Sequence, residues 1–120
     1  MATDKTYNGW TNYETWAVKL WIDNEQGSYE YWREQARSAF NDETADKSPN
    51  VYMNHSDNAR SYLAHVLEEQ HDSASEHPVF KAAEGKVYAD LLNAALSEVN
   101  WHEISGSLLE AEELEGYEAA

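Results

Sequence analysis

The sequence predicts an all-α protein, a single compact domain of about five helices with a long loop after the second helix and an acidic carboxy-terminal tail. Three observations carry this. Apolar residues recur at spacings of three and four, with almost none of the strict alternation a half-buried strand requires. Helix start signals precede most of the apolar stripes. Only 2 Pro and 5 Gly interrupt 120 residues, of which 42% are hydrophobic, so disorder does not account for the composition and a packed core is expected.

The first helix is predicted to open at Thr11-Asn12-Tyr13-Glu14, with Thr11 as N-cap and Glu14 as its capping-box partner. Tyr13, Trp16, Ala17, Leu20 and Trp21 form its stripe, widened by Val18 and Ile22, so burial over most of its circumference is expected. Asn24 and Gly27 can adopt the left-handed conformation that closes a helix. Ser28 is the expected N-cap of a second helix bearing Tyr29, Trp32, Ala36, Ala39 and Phe40 on one face, and so short a connection favours an antiparallel hairpin. Residues 41–56 turn polar around Pro49 and read as a long loop, with Val51, Tyr52 and Met53 as its only apolar cluster.

A third helix is predicted from Ser56 or Asp57 to about Asp72, with Ala59, Tyr62, Leu63, Val66 and Leu67 inward, and His77-Pro78 marks the break after it. The fourth is strongest from Val87 to Glu98, where Val87, Tyr88, Leu91, Leu92, Ala95 and Leu96 make one stripe. Its start lies between Pro78 and Val87, because Gly85 in a helix interior would cost about 1 kcal/mol relative to Ala. The fifth has the strongest start signal: Asn100 as N-cap, Glu103 at the reciprocal position, and Val99 against Ile104 as a hydrophobic staple. Trp101, Ile104, Leu108 and Ala111 are its expected buried face. Residues 1–10 and 115–120 are expected to fray.

Twenty-three acidic residues against 8 Lys and Arg leave a formal charge of -15. Phosphate backbones and anionic membrane surfaces attract Lys and Arg, so direct binding to nucleic acid or membrane is not expected. The absence of cysteine removes disulfides, thiolate metal sites and cysteine nucleophiles, and fits a reducing cytoplasm. No signal-like apolar region follows Met1, and no apolar run approaches the roughly 20 residues that span a bilayer.

The charge is uneven. Residues 87–120 hold eight acids and no Lys or Arg, whereas residues 1–86 hold fifteen acids and all eight bases. Asp90, Glu98, Glu103, Glu110, Glu112, Glu113, Glu115 and Glu118 are therefore the candidate partner-binding residues. The plainer reading is a solubilising face. The sharper one is a row of carboxylates imitating DNA phosphates, which would attract the basic groove of a nucleic-acid enzyme.

Eight aromatics stand between Tyr7 and Trp32. Trp16, Trp21 and Trp32 fall on helical stripes and read as core, whereas Trp10 and Tyr31 lie off them and are candidate contact residues. His65, His71 and His77 lie among Glu68, Glu69 and Asp72, but their spacing matches no zinc signature and reads as a mixed polar face. No nucleophile with a base and no phosphate-cradling glycine loop stands out, so neither catalysis nor a metal or cofactor is expected.

The run from Asn8 to Trp16, NGWTNYETW, continued by Leu20-Trp21-Ile22-Asp23-Asn24 and Gly27-Ser28-Tyr29, resembles an uncharacterised family of small phage, plasmid and mobile-element proteins. Val99-Asn100-Trp101-His102-Glu103-Ile104 is similar to that family's carboxy-terminal signature. The resemblance covers about a third of the chain and carries over no catalytic residue. It implies that Trp10, Thr11, Tyr13, Glu14, Trp16, Asn100, Trp101 and Glu103 are structural first. It also implies a prokaryotic cytoplasm as location and, by analogy with other small acidic proteins of that setting, an anti-CRISPR or anti-restriction inhibitor acting as a DNA mimic. The expected partner is then a host defence nuclease or another protein with a basic nucleic-acid-binding surface. A non-enzymatic binding or homodimerisation module is the alternative.

Overall fold

The computed structural model describes residues 6–41, 54–72 and 85–118. Among them all regular structure is helical apart from one isolated bridge between Tyr7 and Trp10. The helices are α1 (Tyr13–Asn24), α2 (Gln26–Asn41), α3 (His55–Asp72), α4 (Gly85–Ser97) and α5 (Trp101–Ala111). The all-α architecture with five helices is the one the apolar spacing predicts. None of the described helices is long and apolar enough to cross a membrane. The apolar cluster at Val51, Tyr52 and Met53, the break at His77-Pro78 and most of the predicted long loop lie outside the described residues.

α5 is the central element, packed chiefly on α3 and also on α2 and α1. Its Trp101, Ile104, Leu108 and Leu109 join Trp32, Ala36, Ala39 and Phe40 of α2 and Ala59, Leu63 and Leu67 of α3 in one core, closed by Ile22, Leu96 and Val99. Each set recurs at three and four, which places it on one helix face. The alanines of α2 and α3 bring the backbones close, and each buried Leu or Ile contributes roughly 1.5–3 kcal/mol relative to an exposed one. Ala111, expected inward, is exposed, and its place in the core is taken by Leu109.

α1 departs most from expectation. Only Thr15 and Ile22 are buried, while Trp21 is 69% and Tyr13 55% exposed. Thr15 and Ile22 lie seven apart on one face, and Trp21 is turned about 100° from Ile22, so Trp21 is not a core residue. Tyr13 and Trp16 instead form a ring cluster with Tyr7, at centroid distances of 4.7 to 5.5 Å.

The helix boundaries also shift. Asn12, not Thr11, caps α1, its Oδ1 accepting from the Thr15 N–H at 2.9 Å. α2 starts at Gln26, so Gly27 and Ser28 are helical and the single extended residue Glu25 joins the two helices. Asn54 caps α3 through the Asp57 N–H at 2.7 Å, in place of Ser56 or Asp57. Gly85 opens α4, where the interior glycine penalty does not apply. Of the α4 stripe, Leu96 is buried and Leu92 half-buried, but Val87 and Leu91 are about 60% exposed.

The starts of α1 and α5 interlock. Asn100 caps α5 as predicted, accepting from the Glu103 N–H at 3.0 Å. Glu103 does not complete a local capping box; its Oε1 accepts from the Thr11 N–H at 3.0 Å. The Asn100 N–H donates to Thr15 Oγ1 at 2.9 Å, Asn100 Nδ2 to Thr11 Oγ1 at 3.2 Å, and Asn12 Nδ2 to the Glu98 carbonyl at 2.6 Å. The segments 11–15 and 98–103, far apart in the chain, thus meet in one hydrogen-bonded node.

Residues 7–10 and 116–118 carry defined contacts. Asn8 and Gly9, at φ 47° and 87°, form a tight turn in which Tyr7 and Trp10 exchange backbone hydrogen bonds of 2.9 and 2.8 Å. Asn-Gly is the dipeptide such turns favour, because both central residues need a left-handed backbone. After α5, Gly116 at φ 86° turns the chain so that Tyr117 meets Phe40 edge-on at 5.6 Å and the Glu118 N–H donates to Ser56 Oγ at 2.7 Å.

Candidate functional site

The eight candidate acids divide into two groups. Asp90 on α4, Glu98 in the α4–α5 link, Glu110 on α5, and Glu113, Glu115 and Glu118 beyond it are exposed. Of these, Glu118 accepts from Asn54 Nδ2 at 3.4 Å, and the other carboxylates make no ion pair among the described residues. Glu113 stands at φ 52°, where a non-glycine residue costs about 1–2 kcal/mol. Glu103 and Glu112 serve the fold. Glu103 is committed to Thr11, and Glu112, with only 4% of its side chain exposed, accepts from Arg33 Nε at 2.8 Å and lies 3.5 Å from Arg37 Nε. The hydrogen bond and charge of Glu112 raise the Arg33 pKa above its ordinary value. Glu112 is therefore a clasp between the tail and α2, not a contact residue.

The bases whose side chains are described are all engaged elsewhere. The described Lys and Arg side chains are Lys19, Arg33, Arg37 and Arg60, and each is already in an ion pair: Lys19 with Asp23, Arg33 and Arg37 with Glu112, and Arg60 with Asp57. Sequence reasoning missed Arg60. It sits on the inward face of α3 with 4% of its side chain exposed, donating to the Tyr117 hydroxyl at 2.8 Å and the Glu118 carbonyl at 2.6 Å. Its place three residues before Leu63 and seven before Leu67, on the apolar stripe, is the sequence signal of that burial.

Next to these acids a cleft of about 570 Å³ opens between the amino-terminal turn and one face of α5. Gly9 and Trp10 line it from the turn, and Glu103, Gly106, Ser107 and Glu110, spaced along a single face of α5, line it with His102, Arg60 and Tyr117. Gly106 has no conformational reason to be glycine, since it is helical without a positive φ. Nor does packing require it, because an added Cβ would meet Arg60 Cδ at an ordinary 3.6 Å. What its missing side chain provides is open cleft. Gly106→Ala is accordingly expected to raise stability by about 0.5–1 kcal/mol, seen as a higher urea midpoint; a lower midpoint would mean that α3 and α5 need the closer approach.

Trp10 is half-buried against the core and lines the cleft. Tyr31 is 42% exposed, and its hydroxyl accepts from Gln70 Nε2 at 2.8 Å. The histidines do not converge. His65 is exposed beside Glu69 at 3.1 Å, and His71 lies between the rings of Trp32 and Trp101 at 5.8 and 5.2 Å with Nδ1 2.7 Å from the Leu67 carbonyl. His77 lies outside the described residues. Among the described residues no group of three His, Asp or Glu side chains is placed to hold a metal ion.

No curated protein and no solved structure matches the chain. Residues 3–114 match a family described as DUF7249, of unknown function. The match takes in the interlocked caps, the cleft face of α5 and the Glu112 clasp, and stops short of Tyr117. Spanning nearly the whole chain, it shows that the protein belongs to the DUF7249 family of unknown function.

Proposed function

We propose that this protein is a non-enzymatic acidic binder that docks its carboxylate surface on the basic nucleic-acid-binding surface of another protein and keeps nucleic acid out. In the phage or mobile-element setting that the sequence resemblance implies, that partner is a host defence nuclease, and the activity is of the anti-CRISPR or anti-restriction type. One observation carries the reading: every Lys and Arg whose side chain is described is engaged in an ion pair, Arg33 and Arg37 sharing Glu112, while Asp90, Glu98, Glu110, Glu113 and Glu115 stand exposed without one among the described residues. Helices and turns fix the backbone that carries these carboxylates, and a field of one sign steers a basic partner.

Capture from a prokaryotic lysate tests this. Nucleic-acid-binding proteins should be retained at low ionic strength, released at high ionic strength, and displaced by duplex DNA. Replacing Glu98, Glu110, Glu113 and Glu115 together by Gln should weaken retention at least about tenfold with helical circular dichroism unchanged. Glu112 is excluded from that set because its loss would unclasp the tail. Retention indifferent to salt and DNA would overturn the proposal.

A second reading, a homodimer or other binding module built on aromatics, is favoured by the exposure of Trp21 at 69% and Tyr13 at 55%. Salt separates the two readings. Screening relieves repulsion between copies of net charge -15 and should promote self-association in sedimentation, whereas it dissolves an acid-to-base contact.

A further inference from the structure

The cleft on α5 carries a narrower specification than the acidic surface around it. Glu110 lines it without an ion pair among the described residues, and Glu103, one turn beyond Gly106 and Ser107, uses only Oε1 in its bond to Thr11. The Arg60 charge is answered by Asp57, the Tyr117 hydroxyl and the Glu118 carbonyl. Glu103 and Glu110, beside His102, are thus the carboxylates that the cleft presents, and the Arg60 guanidinium that also lines it is already engaged. Trp10 supplies an indole wall that makes no ring contact with another described aromatic. Gly106, glycine for no reason of backbone or packing, leaves the space between wall and helix unfilled. Arg60 Nε, buried beneath that glycine, has no acceptor among the described residues.

We propose that this cleft receives an arginine side chain of the basic partner. The guanidinium meets the Glu110 carboxylate, and the aliphatic stem lies along Trp10 over Gly106. Arginine is favoured over lysine because its planar fork matches a carboxylate and stacks on an indole face. The inference rests on reading the carboxylate surface as a docking site, and it adds a point of recognition to that surface.

The test uses the full chain and acetyl-Gly-Arg-Gly-amide as probe, followed by ¹H–¹⁵N NMR at low salt. Saturable shifts are expected at the Trp10 indole N–H and the Gly9 and Gly106 amides. The citrulline peptide, the same shape without the charge, should bind at least about fivefold more weakly. Glu110→Gln should weaken the arginine peptide to a similar degree, and Gly106→Leu, which fills the cleft without changing net charge, should abolish its binding while circular dichroism stays helical. Equal binding of the two peptides, shifts spread over remote acids such as Glu25 and Glu34, or undiminished binding by Glu110→Gln would overturn the assignment. Where a salt-sensitive partner from the lysate is retained equally by native chain and Gly106→Leu, the cleft fails and the wider docking reading stands; loss of salt-sensitive retention by the native chain removes that reading instead.

Discussion

Arg60→Met is expected to lower the stability of the folded chain by about 3 kcal/mol and to free the residues after Leu114 from α3. Methionine keeps much of the aliphatic stem, so the loss reports the guanidinium. Nη1 serves the Tyr117 hydroxyl and the Glu118 carbonyl, Nη2 serves Asp57, and the group lies 5.4 Å from the centre of the Tyr117 ring. Removing one member of a buried charged network costs more than its bonds are worth, because the acceptors remain. Asp57, with 39% of its side chain exposed, can be rehydrated, which keeps the figure at the lower end of the range for broken buried pairs. Urea unfolding measures the loss. Exchange of the Glu118 amide, bonded to Ser56 Oγ, reports the tail separately and should accelerate. A tail that stays protected while the midpoint falls would show that Ser56 and the Phe40 contact hold it without Arg60. Lysine should not rescue, since one ammonium cannot reach three acceptors in a fork.

That dependence shows where the sequence was legible. Trp32, Ala36, Ala39, Leu63, Leu67 and Ile104 lie on stripes whose period alone places them inside, and they are inside. Asn100 and Val99 announce the start of α5 locally, and the structure uses them as a cap and a buried neighbour of Ile104. Legibility ends where a choice depends on distant residues. Thr11 and Asn12 are both N-cap residue types, Asn the stronger, and the structure uses Asn12 while the Thr11 N–H and hydroxyl are engaged by Glu103 and Asn100. Trp21 has a core residue's chemistry and a position one step off the face that meets the core.

The candidate site follows the same rule. Glu110, Glu112 and Glu113 are alike as letters in an acidic run, yet Glu112 is claimed by Arg33 and Arg37, one turn apart on α2 and far away in sequence. Charge asymmetry along the chain could locate the acids but not say which were free. The cleft had no signature at all, because it depends on the Asn8-Gly9 turn setting Trp10 opposite a glycine of α5.

Thr15→Val is expected to cost about 2–3 kcal/mol, with Thr15→Ser costing less than half as much. Thr15 is fully buried; its Oγ1 donates to Asn12 Oδ1 at 2.6 Å and accepts from the Asn100 N–H at 2.9 Å. Valine has nearly the same shape, so no cavity confuses the result, but it leaves the Asn100 N–H without its acceptor and Asn12 Oδ1 with one donor fewer. Both residues are N-caps, so the damage reaches the starts of α1 and α5 together. The losses from Thr15→Val and Asn12→Ala should therefore not add, with a coupling of about 1 kcal/mol in a double-mutant cycle. Additive losses would mean that the two caps act independently. Because the same node holds the Gly9-Trp10 turn against the cleft face of α5, Thr15→Val should also weaken the arginine peptide while still folded, and Thr15→Ser, which keeps both hydrogen bonds, should not.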